Sequence, residues 1–291
     1  MSTSAKETKA VALIFVGGIT EMATATMERK RACVTGATGY LGSMLVKSLL
    51  EKGYAVNATV RDPENSKKVS HLLNLQILGD LKLFKADLME EGSFDDAING
   101  CDFVFHVATP MHFESEDQEG YGVSKTLAEK AAWKFSKENS IDLITILPGL
   151  ITGPSLTPEV PGSVITALSL LTGNEFMVNT LKSFQLISGS ISLVHVEDVC
   201  RAHIFVAENE SAAGRYICCA VNTCVRELAK FLSKRYPQYN VLTDFGDFPA
   251  NLKSIFSSEK LIKAGFSYNY GMEEMYDDSV EYLRAVGLLA N

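Results

Sequence analysis

The chain lacks the features that would direct it to nucleic acid, to a membrane or to a structural metal. Lys and Arg number 27 against 35 Asp and Glu, a formal net charge of −8. That balance argues against a general nucleic-acid binder and against electrostatic attachment to an anionic membrane. There is no basic stripe and no DNA-reading helix pattern. No apolar run approaches the roughly 20 residues that a membrane-spanning helix needs. The six cysteines, Cys33, Cys101, Cys200, Cys218, Cys219 and Cys224, contain no C-x-x-C pair, and no His/Cys cluster has zinc spacing, so no metal ligand is assigned. They read as small apolar core residues of a protein kept in a reducing compartment, which implies the cytoplasm. Repeats and low-complexity tracts are also absent. What remains, 291 residues with 46% apolar and 21% charged side chains, is ordinary globular composition. It suffices for one large α/β domain, or for one domain with a smaller lobe.

Residues 1–29 stand apart as a leader. Val11–Ile19 is an apolar run behind Lys6 and Lys9, too short to cross a membrane. It has the outline of a weak signal peptide. The plainer expectation is a disordered or extraneous leader, with Met22 and Met27 both suitable starts just ahead of the first strand.

From there strands and helices alternate. Arg31–Thr35 is a short β-type run entering a glycine-rich turn, and Tyr40–Lys52 carries Leu41, Leu45, Leu49 and Leu50 at helical spacing, with Gly53 stopping it. Strands are expected at Ala55–Val60, Leu81–Lys85, Asp102–Val107 and Ile141–Leu147, and helices at Glu64–Leu78, Ser93–Ile98 and Tyr121–Asn139. The fourth strand is apolar throughout, as a strand buried on both faces should be. Such alternation predicts a Rossmann-type, doubly wound parallel sheet over residues 30–153. Beyond it Pro154, Pro158 and Pro161 mark a loop. Strands at Ser192–Val196 and Arg215–Cys218 come next, with helices from Glu197, at Val225–Arg235 and at Met272–Ala285. This mixed pattern fits a smaller substrate lobe over 154–291, with 190–208 returning to the core.

The turn Gly36-Ala37-Thr38-Gly39-Tyr40-Leu41-Gly42 joins the first strand to the first helix. Gly36 permits the tight turn, Gly39 lets backbone approach a diphosphate, and Gly42 allows close helix–strand packing. The helix start then offers N–H groups and a positive dipole end to phosphate. G-x-x-G-x-x-G alone is weak. Between a clear strand and a clear helix of a βαβ unit it is a dinucleotide signature. At the end of the second strand an NAD-binding chain usually carries an acid for the ribose hydroxyls. Here Arg61 stands there, and a guanidinium suits a 2′-phosphate, so NADP(H) is expected. Asp62 follows directly and leaves some use of NAD(H) open.

Tyr121 is the only one of ten tyrosines with a lysine four residues on, Lys125. On a helix the two share a face one turn apart. A nearby ammonium lowers the phenol's pKa, and the phenol can then serve as a general acid beside a hydride acceptor. After a glycine turn of this kind, Y-x-x-x-K points to a short-chain dehydrogenase/reductase.

With these motifs in place, the chain resembles the extended short-chain reductases of plant flavonoid biosynthesis, the group of the anthocyanidin and dihydroflavonol reductases. The likeness is carried by KGYAVNATVRDP (52–63), CDFVFHVATPMHF (101–113), SKTLAEKAAWKF (124–135), HVEDVCRAHIFVAE (195–208), GRYICC (214–219) and SKRYPQYNVLTDFGDFP (233–249). The last three favour the anthocyanidin side. The resemblance covers nearly everything after residue 30. It implies that Gly36, Thr38, Gly39, Tyr40, Leu41 and Gly42 form the phosphate turn, and that Arg61 and Lys68 hold the 2′-phosphate. Asp87 and Leu88 would lie by the adenine, with Val107, Ala108 and Thr109 lining the cofactor. Tyr121 would be the acid, and Lys125 would bind the nicotinamide ribose and tune it. Pro148 and Gly149 would lie near the nicotinamide, and His195–Asp198 would return to the core beside the substrate lobe. The implied reaction is NADPH-dependent reduction of anthocyanidins to 2,3-cis-flavan-3-ols, building blocks of proanthocyanidins, with a dihydroflavonol-reductase-like activity as the alternative. The implied partner is a flavonoid small molecule. No oligomeric state is implied.

The sequence departs from this pattern at one place. Only 12 positions, 109–120, lie between Ala108 and Tyr121, where the family has another helix, another strand and a long loop, which cannot fit. The break falls near Glu119–Gly120. The missing strand carries the family's catalytic serine. Thr109, Ser115 and Ser124 are the nearby hydroxyls, and none ends a matching strand. The expected consequence is a sheet that closes up one strand earlier, with Tyr121 displaced by one strand spacing, roughly 4.8 Å. A displaced acid and a lost donor predict a chain that keeps the adenine half of the cofactor site and lacks full catalysis. Three outcomes are open: an active reductase, a non-catalytic NADP(H) binder or partner of the full-length enzyme, or an unstable product.

Overall fold

The computed structural model describes residues 9–12, 29–108, 118–250 and 254–290. They divide into two units. One comprises Met1–Leu147, Leu156–Pro158 and Cys200–Tyr216, the other Pro148–Ser155, Glu159–Val199 and Ile217–Asn291.

The first unit opens with β1 (Lys9–Ala12), then β2 (Arg31–Thr35), α1 (Tyr40–Glu51), β3 (Ala55–Val60), α2 (Ser66–Leu73), β4 (Leu81–Lys85), α3 (Asp95–Ile98), β5 (Phe103–His106), α4 (Gln118–Glu138) and β6 (Asp142–Pro148). The strands lie in the order β4-β3-β2-β5-β1-β6, and the pairings along this order are parallel. β3 is buried at all six positions, which explains why its sequence is continuous rather than alternating. α1 buries Leu45, Val46, Leu49 and Leu50 against the sheet. It stops where Gly53 takes φ +90°, with the Gly53 and Tyr54 amides donating back to the Leu50 and Leu49 carbonyls. The expected helix over 64–78 is broken in two: α2 tightens into a 3-10 turn at Asn74–Leu78. Its buried residues, Val69, Leu72 and Leu75, recur every third position, and three residues per turn keeps Leu75 in line with the others.

Two polar groups lock helices onto this sheet. Buried Asn57 donates to the Ala97 carbonyl (2.8 Å) and accepts from Arg31 (3.1 Å), which ties α3 to β3. On α4, Glu129 accepts from Thr145 on β6 (3.0 Å) and is held bidentately by Arg215 at 2.6 and 3.0 Å.

Within the leader, Lys9–Ala12 forms a strand. The sheet was expected to close up with β5 next to β6, yet β1 lies between them and pairs with both. Eleven positions, 107–117, separate β5 from α4, so no helix–strand unit fits between them. The strand position survives because a different part of the chain takes it.

The second unit contains β7 (Leu150–Thr152), α5 (Gly162–Ala167), α6 (Ser169–Thr172), α7 (Glu175–Ser188), β8 (Ile191–His195), the start of α8 (Val196–Glu208), the end of β9 (Gly214–Cys218), β10 (Val221–Thr223), α9 (Val225–Arg235), α10 (Glu259–Lys263) and α11 (Met272–Ala285). Its small sheet runs β10-β8-β7, antiparallel on one side of β8 and parallel on the other. Helices α5 to α7 fill a stretch that the sequence marked only as a proline loop. Cys200–Tyr216 belongs to the first unit. β9 borders β6 in the large sheet.

The start of α8 is pinned from below. Asp198, fully buried, accepts from the Asn269 amide (3.1 Å to each oxygen) and the Tyr270 amide (3.1 Å), while the Tyr270 ring stacks on His195 at 3.8 Å. Asp198→Ala strips the acceptor from two backbone donors. Chemical denaturation is expected to show a loss of roughly 2–4 kcal/mol, against less than 1 kcal/mol for exposed Glu210→Ala.

Candidate active site

The residues singled out in the first unit collect at one edge of the sheet, the carboxyl ends of β2 to β5, because register puts them there. Thr35 is opposite His106, and Val60 is opposite Lys85. The chain therefore leaves β2 at Gly36, β3 at Arg61, β4 just before Asp87 and β5 at Val107 on the same side. This is where open α/β sheets bind nucleotides.

Gly36 takes φ +64°, and a Cβ there would lie 2.7 Å from the Ala108 Cα. A Cβ on Gly42 would lie 2.4 Å from the Gly36 carbonyl oxygen. The first helix is thus seated directly on the turn, and the turn on the chain leaving β5. The Gly39 amide donates to the Gly36 carbonyl (3.0 Å) and the Ala37 amide to the Thr59 carbonyl (3.2 Å), which fixes the turn beside the end of β3. No side chain caps α1, and its first turn holds no acid, which leaves a positive dipole end suited to an anion. Arg61, Lys68 and Leu88 are exposed on this edge, and Asp87 is half-buried. Asp87 organises its own loop: its carboxylate accepts the Met89 amide (2.9 Å), and its carbonyl accepts the Ser93 hydroxyl (2.8 Å).

A relay that the sequence did not single out sits beneath the turn. The Ala108 amide donates to the Thr35 hydroxyl (3.1 Å), which is 2.9 Å from His106 Nδ1. Burial holds the His106 pKa down at about 4, and the positive charge of Lys125 adds to this, so the ring is neutral; the tautomer sets which of the two groups donates. Threonine and histidine ending two separate strands carry no motif, and only the strand register brings them together.

Lys125 is half-buried on α4, and burial lowers its pKa. Tyr121 lies on the same helix one turn earlier, but its side chain and Thr109 fall outside the described residues. Ser124 is exposed on α4, and Ser115 is outside the described residues. Pro148 and Gly149 belong to the second unit. There a Cβ on Gly149 would lie 2.5 Å from the Ser192 carbonyl oxygen, and the Gly149 amide donates to the Cys218 carbonyl (3.0 Å). Among the described residues, no group of three His, Cys, Asp or Glu side chains is arranged to hold a metal ion.

Parallel sheet, glycine turn and tyrosine–lysine helix together define an extended short-chain dehydrogenase/reductase. An NmrA-like family model matches residues 28–131, and the NAD dependent epimerase/dehydratase family matches 111–219. An anthocyanidin reductase ((2S)-flavan-3-ol-forming) of Vitis vinifera is 56% identical, covering 90% of this chain and 98% of its own length. An anthocyanidin reductase of Arabidopsis thaliana is 45% identical, over 89% of this chain and 96% of its own. Vestitone reductase from alfalfa superimposes with a TM-score of 0.77 at 32% identity, covering 90% of this chain and all of that one. A yeast methylglyoxal/isovaleraldehyde reductase solved with NADPH shares the fold at a TM-score of 0.69 and 18% identity, over 89% of this chain and all of that one. The chain belongs to this oxidoreductase family, in its anthocyanidin reductase branch. The Vitis match spreads about nine-tenths of 291 residues over 330 aligned positions, so roughly 70 positions of that relative have no counterpart here.

The folded-state pKa of His106 lies below its unfolded value near 6.5, so its contribution to stability is complete above about pH 6.5 and is lost as pH falls toward 4. Denaturation midpoints at pH 7 and pH 5 are expected to show His106→Gln removing up to roughly 2 kcal/mol of the acid-side loss. Equal pH slopes for the two proteins would refute the neutral relay.

Proposed function

We propose that this chain binds NADP(H) on its first unit and is a catalytically weakened member of the anthocyanidin reductases. The observation that carries the binding half is the turn itself. Gly36 and Gly42 leave no room for a side chain, and the start of α1 between them has no side-chain cap. Backbone amides at the start of α1 would hold the diphosphate, with Thr38, Tyr40 and Leu41 in that turn. Arg61 and Lys68 would hold the 2′-phosphate, Asp87 and Leu88 would flank the adenine, and Val107, Ala108 and Thr109 would border the nicotinamide side. Pro148 and Gly149 are assigned to the nicotinamide end by the family pattern alone. When bound, NADPH would supply hydride; taking an anthocyanidin cation to a flavan-3-ol needs two hydrides and one proton, hence two NADPH for each product. Tyr121 would deliver a proton as general acid, and Lys125 would orient the nicotinamide ribose and lower the phenol's pKa.

The weakened half rests on the roughly 70 absent positions and on the composition of β1. Lys9-Ala10-Val11-Ala12 brings no hydroxyl to the strand position where the family pattern has its serine. Loss of such a donor costs about 10²–10³ in rate. Six free, buried cysteines support a cytoplasmic setting, and no helix of the described residues is long and apolar enough to cross a membrane.

Titration with NADPH, followed by nicotinamide fluorescence, is expected to saturate at micromolar concentrations. Turnover of cyanidin, followed at the NADPH absorbance band, is expected to fall at least about 100-fold below a full-length relative. A rate equal to the relative's would refute the weakened reading, and no affinity for NADPH or NADH would refute both halves. Arg61→Ala is expected to weaken NADPH by at least about tenfold while leaving NADH within about twofold.

A further inference from the structure

We infer that the gap between β5 and β6 is a strand-acceptor site, and that the chain fills it with its own N-terminal segment, Lys9–Ala12, in place of a strand that its relatives have and it lacks. The acceptor is demanding. β5 and β6 are buried strands whose facing backbone edges lie inside the sheet. An unpaired N–H or C=O there has no water to turn to. β1 answers both edges. Lys9 and Ala10 stand opposite Phe103 and Val104 of β5, and Lys9, Ala10, Val11 and Ala12 stand opposite Asp142, Leu143, Ile144 and Thr145 of β6.

The segment has no claim to be a strand by itself. Lysine and alanine are depleted in strands, and only Val11 favours one. The ladder is therefore imposed by the acceptor, through main-chain hydrogen bonds that make little demand on side chains, as when an added strand completes a sheet. The segment also lies outside the family pattern: neither family model reaches back past residue 28. A stretch foreign to the family thus occupies a central position of the family's sheet, and the absent positions explain why that place is open.

Lys9–Ala12 is then a folding requirement rather than an appendage. Amide hydrogen exchange on the full chain tests this without any variant. Ala10, Val11 and Ala12 are expected to exchange at least roughly 100-fold slower than unstructured amides, in step with Leu143–Thr145. Exchange of residues 9–12 at unstructured rates, with β6 protected, would overturn the inference. Protection confined to a dimeric fraction on size exclusion would also overturn it, because the strand would then come from a second copy. Val11→Pro removes a donor from a strand flanked on both sides. It is expected to lower Tm by roughly 5–10 °C, with exposed Glu210→Ala unchanged. Equal melting of both variants would overturn the inference. Where Val11→Pro does not fold, the exchange measurement on the unaltered chain still decides.

Discussion

Backbone groups in the middle of a parallel sheet must be paired by another strand, because helices cover both faces and exclude water. This chain meets that constraint under unusual circumstances. Between β5 and β6 there is room for a strand, while the 11 positions linking β5 to α4 are too few for a helix–strand crossover unit. Lys9–Ala12 supplies it instead. With the place filled, the sheet keeps a strand's separation between β5 and β6, and Thr145 on β6 and Arg215 meet the same glutamate of α4.

The cofactor edge depends on a second form of close contact. Gly36, Gly42 and Ala108 stack backbone on backbone, with no side chain between α1, the turn and the end of β5. The Thr35 hydroxyl spans the same junction, and neutral His106 backs it from the next strand. The uncapped helix start is thereby held against the end of β5. Binding of a dinucleotide and delivery of a proton are separable demands. The first needs the turn and the sheet edge, which are whole. The second, on the proposed reading, rests on Tyr121 of α4 and on a substrate-orienting hydroxyl at a strand end, and the four residues of β1 include no serine or threonine.

Much of the fold was legible because periodicity and punctuation are local. α1 follows from leucines at helical spacing and the glycine that stops it, β3 from an unbroken buried run, and α9 and α11 lie where their patterns put them. Of the site, the glycine turn, Arg61 and the tyrosine–lysine spacing could be read directly, since each is a short motif beside a clear strand or helix. Thr35 and His106 were not legible. They are 71 residues apart, and only the pairing of β2 with β5 makes them neighbours. Helices α5 to α7 were obscured by prolines, which mark where a chain turns but not which element forms beyond the turn.

The amino-acid order by itself determined the α/β class, the nucleotide-binding turn, the family and the shortening between Ala108 and Tyr121. Each is encoded by neighbours along the chain or by the count of residues between them. Only the tertiary structure decided what became of the shortened sheet. A lysine–alanine–valine–alanine stretch carries no local instruction to be a central strand. It becomes one because two buried backbone edges need hydrogen-bond partners that no other described segment provides.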